Sequence, residues 1–270
     1  ANPILLDSNW ENLGIDIDKL KTFLINETIF LNGYTVNKTT RAKIKAIIPM
    51  HTFGCPVDMD PLIEICENRN IKIIEDASES LGSEYKNIKT GNFGMLGCFS
   101  FNGNKIITTG GGGMIVTNDE NLAKKAKHLT TTAKRDAVFY KHDEIGYNYR
   151  LVNILAAMGC AQLEMINDFM KKKRENWNNY NQLFKNHKHA QLHKEPANVK
   201  SNYWMYSLIL ERESKIPLKK LITQLELKGI QTRPVWMLMS NLKMYKKCQT
   251  NGKEVSEDIQ SRVLNIPCST

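Results

Sequence analysis

The chain has 270 residues, 41% of them hydrophobic and 24% charged, and its 37 basic and 28 acidic side chains leave a formal net charge of +9. That composition suits an ordinary soluble globular protein, and the length one large domain or a large and a smaller one. No apolar run approaches the ~20 residues that cross a bilayer, and no secretory leader opens the chain. Six scattered cysteines, with no C-x-x-C pair among them, support neither a disulfide framework nor a zinc cluster, and they suggest a cytoplasmic setting.

In chain order, Pro3 to Leu6 reads as a strand and Ile17 to Ile25 as a helix with apolar residues at helical spacing. A strand from Lys45 to Met50 follows. A helix from Met59 to Asn68, entered at Asp58, then leads to a buried strand over Ile71 to Ile74. Cys98 to Phe101 and Met114 to Val116 are further short strands, and Asn118 or Asp119 caps a helix running to His128. Alternation of this kind predicts a mainly parallel sheet covered by helices, an α/β fold.

From Asn153 the pattern changes to two long helices, Asn153 to Asn167 and Phe169 to Lys185. A strand at Tyr203 to Glu211, a helix at Pro217 to Lys228 and a strand at Ile230 to Val235 come after them. These elements predict a smaller α+β domain over residues 166–270, following a large domain over residues 1–165. The run Lys171-Lys172-Lys173-Arg174 falls in a helical stretch and reads as a solvated face rather than a nucleic-acid footprint. His187, His189 and His193 lack the H-E-x-x-H glutamate and read as a polar loop, so no metal is expected. Both ends stop close to core elements, and the expectation is a chain truncated at each end.

Three polar residues close apolar strands: His51, Asp76 and Lys105. The carboxyl ends of strands in an open α/β sheet face the ligand crevice, so Asp76 and Lys105 are expected to converge there. A lysine that can form an imine and a carboxylate that can keep a pyridine nitrogen protonated are the two groups that pyridoxal 5'-phosphate requires. Gly110 to Gly113 lack the Lys-Ser or Lys-Thr of a nucleotide-binding P-loop. They are expected to turn the backbone tightly through positive φ.

Glu75-Asp76-Ala77-Ser78-Glu79-Ser80-Leu81-Gly82, Gly97 to Lys105, Gly110 to Asp119, Gly146 to Leu151 and Gly229 to Pro234 occur in that order along the chain. Together they resemble the DegT–StrS family of sugar aminotransferases, which have the pyridoxal-phosphate transferase fold type I. The nearest likeness is to the branch that aminates UDP-linked 4-keto-6-deoxy amino sugars for nonulosonic acid or bacillosamine synthesis. The resemblance implies a homodimer with shared active sites, a nucleotide-sugar substrate and an amino-acid donor, glutamate.

It also implies roles for single residues. Lys105 would hold the cofactor covalently and move the catalytic proton, while Asp76 would pair with the pyridine nitrogen. Glu79 occupies a position where the family has glutamine or histidine beside the ring hydroxyl. Ser100 would donate to the cofactor phosphate, and Asn148 would reach the phosphate of the partner subunit's cofactor. Other readings of these residues stay open: Asp76 as a helix cap, Ser100 as an ordinary strand hydroxyl, Asn148 as a turn residue. His51 and Arg233 are candidates for the sugar-nucleotide pocket or for structural service. Three other functional classes compete: a cofactor-poor structural or regulatory fragment, a sugar dehydratase of the same fold with histidine in place of the lysine, and a basic nucleic-acid binder.

Overall fold

The computed structural model describes residues 1–214 and 216–269. Helix α1 (Ile17–Glu27) begins where Asp16 accepts a bond from Lys19 N at 2.9 Å, and it buries Leu20, Phe23 and Leu24. A hairpin follows, β1 (Thr28–Leu31) with β2 (Tyr34–Asn37), turned by Asn32 and Gly33 at φ 49° and 78°. Two consecutive left-handed residues are what a tight Asn-Gly hairpin needs.

Strand β3 (Ala46–Ile47), helix α2 (Met59–Asn68) and strand β4 (Lys72–Asp76) form a right-sized β-α-β unit, with β3 and β4 parallel. The small ribbon β5 (Glu84–Tyr85) and β6 (Ile88–Lys89) comes before β7 (Leu96–Ser100), which pairs parallel with β4. Strand β8 (Gly113–Val116) runs antiparallel on the outer edge of β7, giving the order β3-β4-β7-β8. This sheet is mainly parallel, as the alternation predicts. Met59 and Leu62 of α2 are fully buried against α1 and the sheet, each worth ~1.5–3 kcal/mol relative to exposure.

Helix α3 (Glu120–Thr130) starts at Asp119, whose side chain accepts from Asn121 N and Leu122 N at 2.8 and 3.1 Å. The ribbon β9 (Lys134–Asp136) and β10 (Lys141–His142) leads to α4 (Asn153–Glu164), which buries no residue although it is apolar. Helix α5 (Ile166–Phe184) follows directly, joined to α4 at Met165. Beyond it come β11 (Ala190–Leu192), β12 (Val199–Lys200), β13 (Tyr206–Leu210), α6 (Leu218–Leu227), β14 (Arg233–Pro234), α7 (Glu254–Arg262) and β15 (Val263–Ile266). Strands β11-β13-β15-β14 make an antiparallel sheet backed by α5 and α6, with Pro234 confined to the edge strand where no ladder bond is lost.

The two sheets are tied together. β12 pairs with β5, extending the small ribbon of the first half. Asp7 accepts from Val255 N and Ser256 N at 3.2 and 2.9 Å, capping α7 from the far end of the sequence, and it also pairs with Lys19. Expected strands are trimmed where they lack neighbours: Pro3 to Leu6 keeps one bridge, Leu5 to Thr250, and Ile230 to Val235 shrinks to β14. The expected positive φ of the glycine run is found at Gly110 and Gly112.

Burial alone would raise the Asp7 pKa, but Lys19 and Ser256 outweigh it and hold it at about 2. A depressed carboxyl pKa stabilises the fold above the ordinary value of 3.8 and loses that contribution as pH falls toward about 2. Asp7→Asn should therefore flatten the acid limb of the stability curve across that window while lowering stability at neutral pH. Urea titrations at several pH values measure both effects, and an unchanged acid limb counts against the assignment.

Candidate active site

The site is built at the carboxyl ends of β4 and β7. β4 delivers Asp76, which stays half-buried, with Oδ1 accepting from Ser78 N at 3.1 Å and from the Ser78 hydroxyl. Among the described residues, Oδ2 accepts no hydrogen bond. One turn of chain further on, the Glu79 side chain is 7% exposed and turns inward. Its Oε2 accepts from Phe53 N at 2.8 Å, and its Oε1 stands 3.6 Å from Lys105 Nζ.

Burial pushes the Glu79 carboxyl above the ordinary glutamate range; the Phe53 N–H and the Lys105 charge pull it down, and Asp76 pushes it up again. Glu79 therefore lies in the electrostatic reach of both Asp76 and Lys105. Lys105 follows β7 on a turn in which its N–H donates to Asn102 O at 3.0 Å. Its amine sits 3.9 Å from the centre of the Trp204 ring, a cation–π contact strengthened by burial. Ser100 ends β7 opposite Gly113, and its Oγ accepts weakly from Asn102 N at 3.3 Å.

A polar clamp fixes this arrangement. Asn202, 1% exposed, donates to Glu79 O and Leu81 O at 2.9 and 3.0 Å and accepts from Trp204 N at 2.8 Å. Trp204 Nε1 donates to Asn104 O at 2.6 Å, which holds the turn carrying Lys105. Phe53 takes the left-handed conformation at φ 54°, and this aims its N–H at Glu79. Gly54, at φ 89°, leaves room for Asn202: a Cβ there would lie 1.9 Å from Asn202 Oδ1. Trp236, half exposed, stacks on both Phe53 and Trp204 beside the site.

The other candidates fall elsewhere. His51 is fully buried; Val57 N donates to its Nδ1 at 3.2 Å, so Nε2 is the donor to Glu75 Oε2 at 3.1 Å. Both ring nitrogens are thus consumed within the frame, and the pocket-lining role considered for His51 is corrected to a structural one. Glu75 also gathers Gly91, Phe93 and Gly94 N–H groups, each at 2.7 Å. Although burial works against it, the bonds from His51, Gly94 and Gly91 hold its carboxyl below the usual range. Arg233 is exposed and borders, with Lys105, Trp204 and Gln231, a wide trough lined mostly by the second sheet and its helices. Asn148 is exposed at an isolated bridge to Thr131, with no hydrogen bond or ion pair to the Lys105 group among the described residues.

The residues present fit pyridoxal 5'-phosphate. An amine without a close hydrogen bond follows β7 and a carboxylate oxygen left over on Asp76 ends its neighbour β4, and the strand ends of an open α/β sheet are where it binds its ligands. Fold and site together define a pyridoxal-phosphate-dependent transferase. The sequence profile of the DegT/DnrJ/EryC1/StrS aminotransferase family matches residues 1–270, and the chain belongs to that family.

Among its relatives, GDP-perosamine synthase of Escherichia coli O157:H7 is 36% identical over 267 residues, spanning 99% of this chain and 68% of that protein. The crystal structure of a DegT DnrJ EryC1 StrS aminotransferase from Brucella abortus superposes with a TM-score of 0.88 at 27% identity, covering all of this chain and 69% of the other. The E. coli GDP-4-keto-6-deoxy-D-mannose-3-dehydratase structure with bound hydrated PLP gives 0.83 at 25% identity, over 98% and 69% of the two chains. The chain is accordingly a PLP-dependent sugar aminotransferase by family, with a sugar nucleotide as its class of substrate.

Asn202→Ala should strip three hydrogen bonds from buried backbone groups and cost about 2–4 kcal/mol. A urea denaturation difference below about 0.5 kcal/mol would show that the clamp is dispensable.

Proposed function

We propose that the protein transaminates a nucleotide-linked 4-keto-6-deoxy (amino) sugar, with glutamate as the amino donor. The product would serve cell-surface polysaccharide or nonulosonic acid and bacillosamine biosynthesis. The supporting observation is the Lys105 amine, 3.6 Å from a buried carboxylate and lying over an aromatic face at the strand ends that carry Asp76. A sugar dehydratase of this fold has histidine at that position; lysine here favours amino-group transfer.

When bound, pyridoxal phosphate supplies an electron sink for the bond broken at the amino-bearing carbon. Lys105 holds the cofactor and carries the proton to and from the reacting carbon. Asp76 keeps a proton on the pyridine nitrogen through its free Oδ2, and Glu79 faces the ring hydroxyl side. Ser100 donates to the phosphate from the end of β7. Arg233, exposed on the trough, takes the anionic diphosphate of the sugar nucleotide.

Two copies share the work in this reading, with Asn148 serving the cofactor of the partner. Its support is the apolar surface on that side: Ile145, Tyr149 and Ile154 are 83%, 70% and 77% exposed, more than a lone chain commonly leaves in one stretch. The division into a large domain over 1–165 and a small one over 166–270, and a cytoplasmic location, belong to the same proposal. Among the described residues no helix is long and apolar enough to cross a membrane.

Lys105→Ala should abolish the visible absorbance gained with pyridoxal phosphate and lower transamination about 1,000-fold or more. Ser100→Ala should weaken cofactor affinity about 10-fold while keeping that absorbance. A panel of GDP-, UDP- and dTDP-linked 4-keto sugars, with product mass read by spectrometry, separates amination from loss of a hydroxyl. Retained absorbance in Lys105→Ala would overturn the proposal.

A further inference from the structure

Glu79 carries its charge where the Phe53 N–H alone would be satisfied by any side-chain acceptor. It is the acidic side chain turned toward Lys105, its carboxylate is nearly removed from water, and its second oxygen is fixed by the Phe53 N–H at 2.8 Å. That fixed oxygen leaves Oε1 directed at the lysine amine 3.6 Å away. The amine lies on the Trp204 ring on its other side, 3.9 Å from the centroid. A buried carboxylate and a π face both favour the ammonium form of a lysine over the free amine. A neutral glutamine at the same position would keep the Phe53 bond and lose the charge.

We propose that Glu79 is a positioning residue whose carboxylate is the counterion of Lys105, holding a proton on Nζ and the amine against Trp204 until a carbonyl ligand arrives. The inference rests on the functional reading above and specifies how the lysine of that reading is controlled. The groups facing the pair come from four elements. β4 contributes the Asp76 carboxylate, which acts on Glu79 through space, and the turn after β7 contributes Lys105 itself. The Thr52–Gly54 turn gives only the Phe53 N–H, and the 202–204 segment gives the uncharged Asn202 and Trp204. Asp76 raises the cost of a second negative charge so close by, and pairing with the ammonium offsets it. An amine held in this way must be released before its nitrogen lone pair can attack a carbonyl carbon.

The test reads the amine directly. Pulses of acetic anhydride, a neutral probe, between pH 6 and 11, followed by peptide mass mapping, give the midpoint for acetylation of Lys105 in the native chain, in Glu79→Gln and in Glu79→Ala. The expected result is a midpoint lowered by about one pH unit or more in both variants, with other lysines of the same samples unmoved. A Lys105 midpoint that stays put in both variants overturns the proposal. A separate arm, pyridoxal phosphate followed by borohydride, tests the underlying reading. If Lys105 is reduced onto the cofactor while the acetylation midpoint ignores Glu79, the function stands and this inference fails; if the cofactor never marks Lys105, both fall.

Discussion

The site exists because one amide joins two segments that are more than a hundred residues apart in sequence. Asn202 ties Glu79 O and Leu81 O to the backbone of Trp204, and the missing Cβ of Gly54 makes the space for its side chain. A buried amide satisfied at both ends is rigid, because each lost bond would leave a polar atom without water. The strained Phe53, the inward Glu79 and the tryptophan beneath Lys105 all inherit their positions from that clamp. An active site needs such over-determination, since a displacement of about 1 Å in a reacting group costs catalysis heavily.

A second constraint acts one layer below. Glu75 and His51 sit under the strand ends with their polar atoms used, and Glu75 collects three N–H groups of the turn that enters β7. Adjacent residues of β4 therefore divide their labour by the alternation of the strand: Glu75 points into the frame and Asp76 toward the crevice. Two neighbouring carboxylates differ in role for no reason other than which face of the sheet they occupy.

Most of the scaffold was legible because its signals are local. The helix start at Asp119, the period of α2 and the apolar run of β4 each announce themselves within a few residues. That Asp76 and Lys105 end or follow neighbouring strands was readable from the alternation, and the resemblance supplied the chemistry. What escaped is non-local or concealed by composition. Nothing near Trp204 says that its ring will lie under a lysine 99 positions earlier, or near Asp7 that it will cap α7. His51 looks like a ligand in sequence, and only burial shows its nitrogens occupied. The Asn32-Gly33 hairpin was readable by its turn chemistry, yet β1 does not alternate and β2 buries its polar residues instead of its apolar ones.

The capping of α7 by Asp7 has a consequence for how the molecule is made. The carboxylate must wait for partners 248 and 249 residues later in the polypeptide. At bacterial-type synthesis speeds of about 5–20 residues per second, that interval is on the order of 10–50 s. Throughout it, the first loop can pair with Lys19 but cannot close over its helix, and the apolar faces of α1 and α2 must settle without that lid. A nascent chain of this kind matures late and all at once, and until then its exposed strand edges depend on whatever the cell provides to shield them.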